Sequence, residues 1–100
     1  MKTIFLSLGF HGRTESEVME KIEEMKKIAI TRNPNQDIKF IHNYDYNGEN
    51  RVECLGEAIK KMSSCDYVYF NYCDISKHKG CQIEKKICEL YNINHGVLHL

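Results

Sequence analysis

Hydrophobic and polar positions alternate along this chain in blocks whose periods change repeatedly. The run Ile4-Phe5-Leu6-Ser7-Leu8 is almost continuously apolar, which is the pattern of a strand covered on both faces, and the strand is expected over Thr3 to Gly9. A short loop, Gly9-Phe10-His11-Gly12-Arg13, follows. Thr14-Glu15-Ser16-Glu17 then places a hydroxyl three residues ahead of a carboxylate, the spacing of a helix capping box. Behind it Val18, Ile22, Met25 and Ala29 recur at three or four residues and predict a helix with one apolar stripe, stopped by Asn33-Pro34-Asn35. A second strand is expected over Ile38 to Tyr44 and a polar loop over Tyr46 to Asn50. A second helix starts at Arg51, carries the stripe Val52, Leu55, Ile59 and Met62, and ends around Ser63 to Cys65. The aromatic-rich segment Asp66 to Tyr72 reads as a third strand. Cys73 to Lys79 reads as a loop leading to Gly80, followed by a third helix to about Tyr91 and a last strand over His95 to Leu100.

The expected order is therefore β-α-β-α-β-α-β, with helix-length connections between strands. That alternation calls for one α/β domain over residues 1–100, with a four-stranded, mainly parallel sheet between two helical layers. In such sheets ligands bind beyond the carboxyl ends of the strands, near the point where strand order reverses. Two loops qualify by position, the one after the first strand and the one after the third.

Composition narrows the partners. Fourteen basic and fourteen acidic residues cancel, so no net field draws the chain to a nucleic-acid polymer or a membrane surface. The paired lysines Lys26-Lys27, Lys60-Lys61 and Lys85-Lys86 fall on separate helices and read as solvated faces. No apolar stretch approaches the length of a membrane span, and the amino-terminal run lacks the cleavage site of a signal peptide. Five cysteines, odd in number and unclustered, argue against a disulfide framework and suit a reducing cytoplasm. The five histidines are scattered, so no metal site is expected.

Four features could carry chemistry. In the first loop, Gly9 and Gly12 would let backbone amides approach an anion at a helix start, and Arg13 could grip a phosphate; an ordinary turn with a surface arginine has the same pattern. His78-Lys79-Gly80 offers further donors ahead of the third helix, or is simply a polar loop. Glu84 lies in the first turn or so of that helix, flanked at helical spacing by Gly80, Cys81, Ile87 and Cys88, so it faces the apolar side. A carboxylate there is costly unless it is paired or used, the plain alternative being a capping glutamate. Cys81, at the same helix start, is a weaker candidate nucleophile whose thiol the helix end would acidify.

Together these residues resemble the nucleoside 2-deoxyribosyltransferase-like superfamily, which includes the 2'-deoxynucleoside 5'-phosphate N-hydrolases and small bacterial and phage proteins. The resemblance rests on Leu6-Ser7-Leu8-Gly9-Phe10-His11-Gly12, on Cys65-Asp66-Tyr67-Val68-Tyr69-Phe70, and most sharply on Lys79-Gly80-Cys81-Gln82-Ile83-Glu84 before a helix ending at Leu90-Tyr91-Asn92-Ile93. It implies a small Rossmann/flavodoxin-like three-layer fold and a nucleotide or nucleoside ligand. It also implies Glu84 as the nucleophile on the anomeric carbon, with no cofactor. Gly9, Phe10, His11, Gly12, Arg13, His78, Lys79 and Gly80 would bind the ligand, and a second copy of the chain would complete the pocket. Two positions depart from the family pattern. Ala58 stands where the enzymes carry an aspartate, and His78 stands where many members have a phosphate-binding serine. Three expectations follow: an N-glycosidase or deoxyribosyltransferase working through Glu84, a non-catalytic sensor or sponge for a nucleotide-derived signal, and an interaction module that keeps only the fold.

Overall fold

The computed structural model describes all residues, Met1 to Leu100. Four strands alternate with helices: β1 (Lys2–Ser7), α1 (Glu15–Arg32), β2 (Ile38–Ile41), α2 (Arg51–Ser63), β3 (Tyr67–Asn71), α3 (Tyr72–Ile75), α4 (Lys79–Leu90) and β4 (His95–Leu98). All strand pairings are parallel, in the order β2-β1-β3-β4. The domain is thus a small Rossmann/flavodoxin-like α/β fold. After β2 the chain crosses to the other side of β1, so strand order reverses between β1 and β3.

Strand alternation sorts the core into two layers. On one face Ile4, Leu6, Tyr69 and Leu98 meet Val18, Ile22, Met25 and Ala29, the whole stripe expected for α1. On the other face Phe5, Val68 and Phe70 meet Ala58 and Met62 of α2 and Cys88 of α4. Ile4, Phe5, Ile22, Met25, Val68 and Phe70 are among the largest side chains fully removed from water. Each such burial contributes roughly 1.5–3 kcal/mol. Ser7 follows Phe5 by two residues and shares its face, which aims the serine at α4.

The helix starts are secured locally. Thr14 accepts from the Glu17 backbone while the Glu17 carboxylate accepts from the Thr14 backbone, completing the expected capping box. Asn50 caps α2 by accepting from the Glu53 backbone. No helix is long and apolar enough to cross a membrane.

Three expectations are corrected. The segment after β3 is not all loop, because Tyr72 to Ile75 form the short helix α3. Val52 does not join the stripe of α2 but is 78% exposed, because its turn lines the cavity described below and does not pack on the sheet. Glu84 lies in the second turn of α4, the sixth residue of Lys79–Leu90, and there is no acidic residue in the first turn. Helix-end electrostatics fade within one turn, so they are not what holds this carboxylate.

Candidate functional site

A cavity of about 580 Å³ opens beyond the carboxyl end of β1, beside the reversal of strand order. Its floor is Phe5 to Phe10, one wall is the start of α2 (Arg51, Val52, Cys54, Leu55, Ala58), and the other is Lys77 to Glu84. Of the residues expected to bind a ligand, Gly9, Phe10, His11, His78, Lys79 and Gly80 line this cavity, as does Glu84, the expected nucleophile. Gly12 and Arg13 do not. A smaller hollow of about 440 Å³ lies between α3, α4 and β4 but contains no carboxylate.

Glu84 is 8% exposed, and its Oε1 accepts a hydrogen bond from the Ser7 hydroxyl at 2.6 Å. No cation pairs with it. Burial pushes its carboxyl up to about 7, the Ser7 hydroxyl pulling the other way. Gly80 lies one helical turn earlier, where a β-carbon would stand in ordinary contact, 3.9 Å, with Oε2. Glu84 is thus a carboxyl group poised between its two protonation states at neutral pH, in a cavity large enough for a small molecule.

Arg13 lies outside the cavity lining and is engaged with the loop after β3. Its guanidinium makes two bonds to Asp74, at 2.7 and 2.8 Å, and a third to the Gly9 carbonyl at 2.7 Å. Asp74 is fully buried and also accepts from the Gly9 backbone N–H at 2.8 Å and the Asn71 side chain at 3.1 Å. Burial opposes its charge, but the Arg13 hydrogen bonds, the Gly9 N–H and the nearby His78 outweigh it and hold the carboxyl below its ordinary value. Three of its five N–H donors are thereby engaged within the chain. Arg13 and Asp74 thus tie the loop after β1 to the loop after β3.

The same tie explains the first glycine. A β-carbon on Gly9 would fall 2.3 Å from the His78 ring, so the absence of a side chain there seats the imidazole against the loop and into the cavity wall. His78 Nε2 lies 3.7 Å from Asp74 Oδ1. Gly12 adopts a positive φ of 78°, which glycine reaches without steric cost, and its role is to turn the chain. At the cavity mouth Arg51 Nη2 lies 2.9 Å from His11 Nδ1, bridging α2 and the first loop.

Cys81 is corrected as a nucleophile. It is buried, with its Sγ 3.7 Å from the Ser7 hydroxyl, and burial together with the Glu84 charge pushes its thiol up to about 12. Burial thus overrides the helix end, and the group stays a thiol at neutral pH. All five cysteines are free, and no three histidine, cysteine or acidic side chains come together as a metal site.

The sequence reading missed Ser7, Asp74 and Asn43. Ser7 carried a readable signal, a polar residue inside an otherwise apolar strand. Asp74 sits in the expected loop and Asn43 near the end of the expected second strand, where nothing local marks either as buried. Ala58, by contrast, lines the cavity, and the α2 wall carries no carboxylate. Neither a family model nor a curated protein matches the chain.

Proposed function

We infer that this chain binds a nucleotide- or nucleoside-type molecule in the cavity and cleaves or transfers its N-glycosidic bond, with Glu84 as nucleophile. The observation that carries this reading is the Glu84 carboxyl, which is buried, unpaired by any cation, held by Ser7 and set in the cavity wall beside the switch point. The resemblance around Lys79-Gly80-Cys81-Gln82-Ile83-Glu84 supports the same role. Oε2 attacks the anomeric carbon as the carbon–nitrogen bond breaks, and the bond's electron pair leaves with the base, which takes up a proton. The resulting sugar ester is opened at the anomeric carbon by water or a second base, regenerating the carboxyl. Oε1 stays anchored to Ser7, so the attacking oxygen keeps one direction. Arg51, Lys77 and Lys79 line the cavity and suit an anionic ligand.

One observation favours a second reading, binding without turnover. Glu84 is the sole carboxylate lining the cavity, and Ala58 supplies no acid for the leaving base. A positioned acid typically contributes about 10²- to 10⁴-fold.

Incubation with a panel of deoxynucleosides, deoxynucleoside 5'-monophosphates and cyclic or ADP-ribose-type nucleotides separates the two, with free base measured by chromatography. The glycosidase reading expects base release that Glu84→Gln abolishes. Retention of an intact nucleotide with no base released would replace it with the binding reading.

A further inference from the structure

The hollow of about 440 Å³ between α3, α4 and β4 takes no part in the chemistry at Glu84, but one residue, Lys77, lines both it and the cavity. The ridge between the two runs from the end of α3 to the start of α4 and carries Lys77 and Lys79. Both lysines are exposed, and neither is paired with an acidic side chain. No carboxylate lines the hollow. Two linked anionic groups lying across this ridge would therefore meet unpaired positive charge.

The far side of the ridge suits a flat ring. Tyr72, Ile75 and Val97 supply apolar lining to the hollow. Tyr72 is 57% exposed, and His99 stacks on its ring with centroids 4.5 Å apart and planes 30° from parallel. An accessible aromatic ring supported by a neighbouring ring is a platform for a base, and such stacking tolerates any base because each has a π-face.

We propose that the ligand of this protein is a dinucleotide joined through a diphosphate. It lays one nucleoside in the cavity beside Glu84, its diphosphate across Lys77 and Lys79, and its second base on Tyr72 in the hollow. The proposal rests on the nucleotide reading above and names the substrate class of that site. Glu84 attacks the N-glycosidic bond of the first nucleoside only, so the second nucleoside stays remote from the reacting atoms and contributes binding energy.

The test is equilibrium binding to Glu84→Gln, which keeps each ligand intact. The 5'-diphosphates of deoxyadenosine and thymidine are each compared with the same diphosphate capped on its outer phosphate by adenosine. The cap adds the second nucleoside and removes a negative charge, so charge alone favours the uncapped form. In any pair that binds, the capped ligand is expected to have a Kd lower by about tenfold, within the scale of one base–aromatic stack. Adding Tyr72→Ala is expected to abolish that preference and leave the Kd of the uncapped diphosphate unchanged, while Tyr72→Phe, which keeps the ring, retains the preference. Amide shifts of Glu84→Gln alone give a readout that does not depend on the alanine variant folding: the capped ligand is expected to add shifts at Tyr72 to Ser76 and at Val97. Equal or weaker binding of the capped form, a preference that survives Tyr72→Ala, or no added shifts in the hollow would overturn the proposal while leaving the nucleotide reading intact. Binding of no probe would overturn both.

Discussion

Glu84 shows how one residue links stability to chemistry. Its carboxyl is raised from 4.5 to about 7 in the folded chain. Below pH 4.5 it is neutral whether the chain is folded or not. Between 4.5 and about 7 the unfolded chain gives up the proton first, so stability falls as pH rises through that window. The cost above it is roughly 3 kcal/mol at 1.36 kcal/mol per unit. Glu84→Gln, which keeps the shape and can still bond Ser7, should raise the urea-unfolding free energy at pH 8 by up to about that amount and change it little at pH 4. Equal effects at the two pH values would show that the carboxyl is not buried as described. In the proposed glycosidase reading the same group would set the rate, since only the carboxylate attacks. If the chain turns over, kcat/KM should climb with pH to a plateau, with an apparent pKa of about 7. A profile already flat from pH 5 upward would remove Glu84 as nucleophile.

At the scale of elements, the loops after β1 and β3 work as one unit through Arg13 and Asp74, which are 61 residues apart. Asp74 is fully buried and the Arg13 side chain is 18% exposed, which makes this pair unlike a surface ion pair. Removing one member leaves the other charge stranded. Arg13→Met should therefore cost about 3 kcal/mol in urea unfolding and free the Gly9 loop, seen as faster amide exchange at Gly9. A loss below about 0.5 kcal/mol would show the pair to be solvated. Much of the fold was legible because it is written in local periods. The capping box at Thr14, the stripe of α1 and the apolar run of β1 all form as their sequence patterns predict. What was not legible depends on distant partners. Arg13 reads as a free cation until Asp74 is placed beside it. Cys81 reads as an activated thiol until burial is weighed against the helix end. The short helix α3 has no period to read and is stabilised by the contacts of Asp74 with Gly9, Arg13 and Asn71.

Across the whole molecule, the strand order β2-β1-β3-β4 gathers the candidate residues. The reversal between β1 and β3 opens a gap at the carboxyl end of the sheet. Helix α2 bounds it on one side and α4 on the other, bringing Ser7, Asn43, Arg51, His78 and Glu84 to one cavity from four separate segments. The position of the cavity followed from the alternation of strands and helices alone, whereas its polarity, cationic at the mouth and carboxylic at one wall, needed the packed structure. The most direct test of the account is a titration of the ¹⁵N-labelled chain with deoxynucleoside 5'-monophosphates, followed by amide chemical shifts. The account predicts saturable shifts concentrated at Ser7 to His11, at Asn43, at Arg51 to Leu55 and at Lys77 to Glu84. Shifts confined to α1, or to the hollow between α3, α4 and β4, would contradict it, as would no shift with any nucleotide.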